Sequence, residues 1–270
     1  GIHALLSYPA QDYKYAAMSG HCAQGSGIVE FMNEKSKNNL NTCPKARGEQ
    51  LNYVTIPGVN LETLLEENHM PSVTWISADC EGCELTFIQN FDFDKYDVRV
   101  FSYETSANQE TRAKIENLLT EMGFSKHNWK GNDAVYTRSL DRQTERNPSF
   151  NQVAATEPLD TLNQEMPSAS HLNIVPKDIE GTVGSQAENN VDKLISNTLF
   201  QKDFVGTFVE FGCSNGIRNS NSLLLEREYG WNGLCIEPNP FEAKFAIKNR
   251  KHGIHALLSY PAQDYKYAAM

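Results

Sequence analysis

The sequence predicts an α/β fold on a mostly parallel sheet with an antiparallel edge hairpin, its elements arranged in a permuted chain order. Three observations predict it. Short apolar runs that end on a glycine or a carboxylate alternate with stretches of helical spacing, the pattern of strands joined by crossover helices. The runs 207–211, 234–236, 73–78 and 98–103 show little polar alternation, as expected of strands buried on both faces. Residues 1–18, GIHALLSYPAQDYKYAAM, recur without change as residues 253–270. Identity over such a stretch is unlike a diverged structural repeat. It reads as a window cut from tandem copies of one unit, or as a circular or misassembled template.

Taken in order, residues 8–50 read as polar and irregular, with a short strand over 27–32 and an exposed loop over 33–48. Asn60 is placed to cap a helix over 61–67. The strand at 73–78 ends on Asp79, and Cys80-Glu81-Gly82-Cys83-Glu84 forms the turn into the next helix. The strand at 98–103 ends on Glu104. Ile115, Leu118, Leu119 and Met122 follow helical spacing, with Gly123 as the stop. Residues 124–129 and 134–137 read as an antiparallel pair. Residues 139–184 are polar and without periodicity, the composition of a linker. Residues 190–199 form a short helix feeding the strand at 207–211. Gly212 to Gly216 form a polar turn, Asn219 or Ser220 caps the helix that follows, and Gly230 ends it. The second strand, 234–236, ends on Glu237.

The domain reading follows from the repeat. Residues 1–138 read as the C-terminal half of the natural unit, 139–184 as the linker, and 185–270 as its N-terminal half, which carries the glycine turn. The two copies of the repeated segment carry the same strand, and one sheet offers one slot for it. The copy at 253–270 has the shorter loop to close, so it is expected beside the 234–236 strand. The other copy is expected to be displaced or swapped into a neighbouring chain, giving a segment-swapped oligomer.

The chain has 270 residues, a formal net charge of −10, 40% hydrophobic and 21% charged residues. Such an acidic balance argues against nucleic acid or an anionic membrane as the partner. No apolar run is long enough to span a bilayer. The chain begins at Gly1, so the true N-terminus can lie upstream. Six cysteines without the spacing of a disulfide framework point to a reducing, cytoplasmic compartment.

Residues 206–240 carry the strongest functional signal. Strand, glycine turn, helix and a second strand with an acid about 20 residues on form half of a nucleoside-binding βαβ unit. The glycines are four apart, and the third glycine of a dinucleotide fingerprint is missing. Glu237 is therefore the residue expected on the ribose hydroxyls. Gly212, Cys213, Asn215 and Gly216 are expected to line the ligand through backbone contacts. Glu210 lies inside a buried strand, where an unpaired carboxylate is costly, so it must face a cationic group of the ligand or a backbone donor. Asp79 ends a strand at the carboxyl edge where open α/β sheets bind ligands.

Together these residues resemble the FkbM-type methyltransferases that use S-adenosylmethionine (SAM). The matching pieces are Ser185-Gln186, Phe208-Val209-Glu210-Phe211-Gly212 with Gly216, Ser220 to Glu226, Gly230-Trp231-Asn232-Gly233 and Ile236-Glu237-Pro238-Asn239-Pro240. Asp79-Cys80-Glu81-Gly82-Cys83-Glu84 and Asn132-Asp133-Ala134-Val135-Tyr136 continue the match. The resemblance implies a Rossmann-like class I methyltransferase sheet, SAM as cofactor, and methyl transfer to a hydroxyl of a carbohydrate or small metabolite. It also brings Pro238, Asn239 and Ser259 into the cofactor site, although such enzymes often carry an acid where this chain has Ser259-Tyr260. An alcohol nucleophile benefits from a base, for which Asp79, Glu81 and Glu104 are the candidates. Glu84 reads as a first-turn carboxylate favoured by the helix dipole. A metal between Asp79 and Glu81 lacks further ligands, and none is expected. Cys80 and Cys83 read as buried small apolar side chains. Two competing classes are a non-catalytic interaction module on the same fold and a nicotinamide-dependent oxidoreductase, the latter disfavoured by the turn spacing.

Overall fold

Among the described residues seven strands make the central sheet, in the spatial order β10-β9-β8-β4-β5-β7-β6. They are β4 (Trp75–Ala78), β5 (Val100–Glu104), β6 (Phe124–Lys126), β7 (Asp133–Arg138), β8 (Thr207–Phe211), β9 (Asn232–Glu237) and β10 (Gly253–His255). The five strands from β10 to β5 pair in parallel, and β7 pairs antiparallel with both β5 and β6. The fold is thus mixed α/β, mostly parallel with an antiparallel edge, consistent with a methyltransferase-like sheet. The structure, a computed structural model, describes residues 12–29, 32, 34–80, 82–105, 109–128, 133–138, 184–187, 190–201 and 203–258. The linker expected at 139–184 falls outside these residues except for Gly184, as do residues 1–11 and 259–270 of the repeated segment.

Both faces of the sheet are covered, which explains the apolar runs. Alternate residues on each strand point to opposite faces. Val209, Phe211, Ile76, Phe101 and Tyr103 pack against α2 (Leu61–Glu67), α3 (Glu84–Asn90) and α4 (Gln109–Glu121). Phe208, Trp75 and Val100 pack against α5, which starts at Val191–Leu194 and runs on as a π turn to Leu199, and against Leu225 of α6 (Leu223–Glu228). Asn60 caps α2 as expected, its Oδ1 accepting from Thr63 N at 2.9 Å. At α6 the N-cap position is Ser222, not Asn219 or Ser220, and its side chain makes no capping hydrogen bond; Ser220 Oγ, farther out, accepts from Leu223 N at 3.2 Å.

A second sheet, in the order β11-β3-β1-β2, stands over the carboxyl edge. It comprises β1 (Asp12–Met18), β2 (Gly27–Ile28), β3 (Leu51–Val59) and β11 (Leu257–Leu258). The copy of the repeat at the C-terminal side pairs as expected, with Gly253–His255 beside Cys235–Glu237. Leu257 and Leu258 then leave the large sheet and pair with Gly58 and Val59. The other copy supplies β1 through its second half, Asp12–Met18. Asn239 ties the two sheets together, its Nδ2 donating to Met18 O at 2.8 Å and Ser26 Oγ at 3.0 Å.

Two expectations are corrected. The stretch expected as a loop at 33–48 is the helix α1 (Glu34–Arg47). Its Glu34 lies in the first turn and Lys45 and Arg47 in the last, which suits the helix dipole. Leu40 and Cys43, three apart, turn one narrow face onto Ala16, Met18 and Cys22. The cysteines are not free: Cys22–Cys43, Cys80–Cys83 and Cys213–Cys235 are disulfides. Their partners come together only in three dimensions, and the pairing removes the ground for a reducing, cytoplasmic compartment. Among the described residues no helix is long and apolar enough to cross a membrane.

Candidate active site

A cleft opens where β8 and β4 lie side by side, with crossovers leaving toward opposite ends of the sheet. Such a switch point is where open α/β sheets bind ligands. The cleft holds about 220 Å³. From β8 and its turn it is lined by Phe211, Gly212, Ser214, Asn219 and Asn221, and from β9 by Ile236, Glu237 and Pro238. Glu242 of α7 (Pro240–Asn249) and Ala256 to Leu258 close one side. Asp79, Cys80, Cys83, Glu104 and Asp133 close the other, and Tyr15 and Gly27 of the second sheet, with Ala23 and Ser26 from the short 3-10 turn between β1 and β2, form the roof.

Gly212 is the pivot of this arrangement. Its φ is +75°, and its N–H donates to Ile236 O at 2.9 Å. A Cβ built there would stand 2.1 Å from Asp79 O, so the turn lies directly against the end of β4. Gly212→Ala combines that collision with a backbone conformation costing roughly 1–3 kcal/mol for a residue with a side chain. A loss of at least about 2 kcal/mol in urea unfolding is expected; an unchanged midpoint would show that the turn can move away from Asp79.

Glu237 ends β9 with its carboxylate curled over the turn. It accepts from Ser214 N and Asn239 N, both at 2.7 Å. Burial outweighs these bonds and pushes its pKa up to about 8, with Glu242 and Glu210 adding repulsion. Burial likewise raises Glu242, against the opposing pull of Arg218, whose Nη2 lies 3.6 Å away. Five lining residues, Asp79, Glu104, Asp133, Glu237 and Glu242, are acidic. Among the described lining residues none is Lys, Arg or His. The cleft therefore favours a cationic or neutral occupant over an anionic one.

Of the residues singled out in the sequence, Gly212, Glu237, Pro238, Asp79 and Glu104 line the cleft. Five others build its wall from behind. Glu210, 2% exposed, is not among the lining residues. Of the two partners expected for it, the structure provides the backbone donors, Asn221 N at 2.6 Å and Ser222 N at 3.3 Å. Its carboxylate also accepts from the hydroxyls of Ser220 and Ser222 and pairs with Arg250. Cys213 is held in its disulfide to Cys235. Asn215 folds its Oδ1 onto Ile217 N and Arg218 N. Gly216 packs against Arg250 and Ala246, and Asn239 caps α7. Glu81 and Ser259 lie outside the described residues.

Several lining residues were not read from the sequence. Asp133 stands directly opposite Glu104 in the antiparallel register of β7 and β5. Two like charges so paired are destabilising unless the site uses them. Asn221 is another omission: its Nδ2 donates to Ser77 Oγ at 2.9 Å, while its buried Oδ1 has no hydrogen-bond partner among the described residues. The motif match around 220–226 ran through this residue without assigning it a task. Glu84 sits behind the acceptor side, 3% exposed, its Oε1 accepting from Cys80 N at 3.2 Å and Gly82 N at 3.5 Å. Among the described residues no three His, Cys, Asp or Glu side chains converge as metal ligands.

No curated protein and no solved structure matched the chain. One family model did, described as the methyltransferase FkbM domain, over residues 11–126. That span runs from β1 through β6 and includes Asp79, Cys80, Cys83 and Glu104 on the acceptor side of the cleft. The resemblance read from the sequence lies on both sides of the linker, and the family match falls on the first of them: residues 11–126 are similar to the FkbM methyltransferase domain.

Proposed function

We propose that the chain is a SAM-dependent O-methyltransferase acting on a hydroxyl of a carbohydrate or other small metabolite. The observation that carries this reading is the convergence of the Gly212 turn, Glu237 and Asp79 on one cleft at the switch point of the sheet. The residues present suit the cofactor. The unpartnered Oδ1 of Asn221 is an acceptor for its ammonium, and Glu237 is an acceptor for its ribose hydroxyls. The acidic lining suits a ligand with positive charge on both nitrogen and sulfur.

SAM supplies an electrophilic methyl group on its sulfonium. The protein's work is then positioning, because an in-line displacement depends on holding nucleophile and methyl group in contact. Tyr15, Ser26 and the second sheet cover the cleft and limit the approach of water. On this reading Asp79 and Glu104, which line the cleft at adjacent strand ends, are the candidates to take the proton of the acceptor hydroxyl.

Isothermal titration with SAM and with NAD distinguishes this reading from a nicotinamide-dependent enzyme; binding of NAD alone would overturn it. Methyl transfer to a panel of sugars distinguishes it from a non-catalytic module. Asp79→Ala is expected to slow that transfer by roughly 10²-fold or more with SAM affinity retained. An equal rate in the variant removes Asp79 as the base and leaves Glu104→Ala to be measured in the same assay.

A further inference from the structure

We propose that the Cys80–Cys83 disulfide is a thiol–disulfide exchange site reached through the cleft by low-molecular-weight thiols, with Cys80 Sγ as the sulfur attacked and Glu84 as its proton donor on release. The inference does not depend on the methyl-transfer reading.

Three disulfides in one chain offer an internal comparison. Cys213 and Cys235 are 1% and 0% exposed and packed against Ala246. Cys22 is 2% exposed; its partner Cys43 is half-buried like Cys80 but packs with α1 against Cys22, away from the cleft. Cys80 and Cys83 alone among these residues line the cleft. Within that pair the two ends differ: Cys80 is half-buried and Cys83 is buried at 7% exposed. Attack by an external thiolate needs access to one sulfur and a place for the other to leave. The half-buried Cys80 meets the first need.

The second observation is the acid beside it. Glu84 Oε1 lies 3.4 Å from Cys80 Sγ. Burial raises the Glu84 pKa, and Glu104 adds repulsion. The first turn of α3 favours a carboxylate at Glu84, and the same position brings it against this sulfur. Two backbone N–H groups, of Cys80 and Gly82, hold the oxygen in place.

The chemistry balances with a monothiol as reductant. A thiolate RS⁻ attacks Cys80 Sγ, the bond to Cys83 breaks, and Cys83 leaves as a thiolate that takes a proton from solvent. A second thiolate attacks the R sulfur of the mixed disulfide. RS–SR departs, and the Cys80 thiolate receives the Glu84 proton, which solvent replaces. Two cysteine thiols and one small disulfide result.

The test treats the native, folded chain with 2-mercaptoethanol, quenches with an alkylating agent and maps the labelled cysteines by peptide mass spectrometry. Cys80 and Cys83 are expected to be labelled at least about tenfold faster than Cys213 and Cys235. Labelling at equal rates overturns the proposal. In Glu84→Gln, the mixed disulfide at Cys80 is expected to persist about tenfold longer or more, since a positioned proton donor is lost. Unchanged resolution in a folded variant rejects the role of Glu84. Should that variant fail to fold, the wild-type release rate, corrected for thiolate concentration, must fall as pH rises through the carboxyl's titration; a flat profile rejects the same role.

Discussion

Arg250→Met is expected to remove about 3–5 kcal/mol of folding free energy, the cost of leaving buried charges without their partner. The Arg250 side chain is fully buried, and its Nη1 and Nε approach Glu210 Oε2 and Glu226 Oε2, each at 3.3 Å. Nη1 donates to Ser220 Oγ at 2.9 Å and Nη2 to Ser222 Oγ at 2.8 Å. The Nε approach lacks the alignment of a hydrogen bond, so it is an electrostatic contact only. One guanidinium thus offsets two carboxylates that are 2% exposed each. Met fills a similar volume but leaves both in a low-dielectric interior. Stabilities of 5–15 kcal/mol are typical, so the loss is a large fraction of the total. Urea unfolding of the variant checks it, and a change below about 1 kcal/mol would mean that water reaches the network. Lys at this position cannot contact Ser220, Ser222 and both acids at once, because it lacks the fork of donors. The network also fixes the 219–222 loop, so the folded fraction of the variant should present Asn219 and Asn221 poorly to the cleft.

This network marks a boundary of what the sequence could disclose. The apolar runs of β8, β4, β5 and β9 were legible because strands buried on both faces carry a composition of their own, and Gly212 and Gly230 mark turns that need a positive φ. Glu210 could be recognised as requiring a partner, since a lone carboxylate in such a run is costly. That the partner is Arg250, forty residues on beyond two helices and a strand, depends on how α7 packs and has no local signature. Asp133 was hidden for a related reason: only the antiparallel register sets it opposite Glu104. Cys213, in the turn just beyond β8, meets Cys235 of the neighbouring parallel strand β9, a pairing for which sequence spacing carries no information. The helix α1 was misread because its residues are mostly polar and include Pro44, so only Leu40 and Cys43 betray a buried face.

Glu237→Ala is expected to weaken SAM binding by at least about 100-fold, since hydrogen bonds to a charged acceptor are worth roughly 1.5–3 kcal/mol each and the ribose offers two hydroxyls. The same carboxyl sets a pH dependence whose sign follows from its burial. In the free protein it titrates near 8, against 4.5 for the ordinary group. The folded state therefore holds a proton that the unfolded chain has released. The stability this proton linkage contributes is fully present below about pH 4.5, declines above it, and is lost once pH passes about 8. At pH 7 the penalty is of the order of a few kcal/mol. Ligand binding runs the other way. If the ribose is held by the ionised carboxylate, binding expels the proton, so affinity rises as pH approaches about 8 and levels off above it. Glu237→Gln should therefore be more stable than the wild type above pH 5, bind SAM weakly, and lose the pH dependence of binding. Titration calorimetry in two buffers of different ionisation enthalpy measures the proton released. A variant that binds SAM as tightly as the wild type, or wild-type binding that is flat from pH 6 to 9, would mean that the buried acid at the end of β9 holds the loop together and touches no nucleoside.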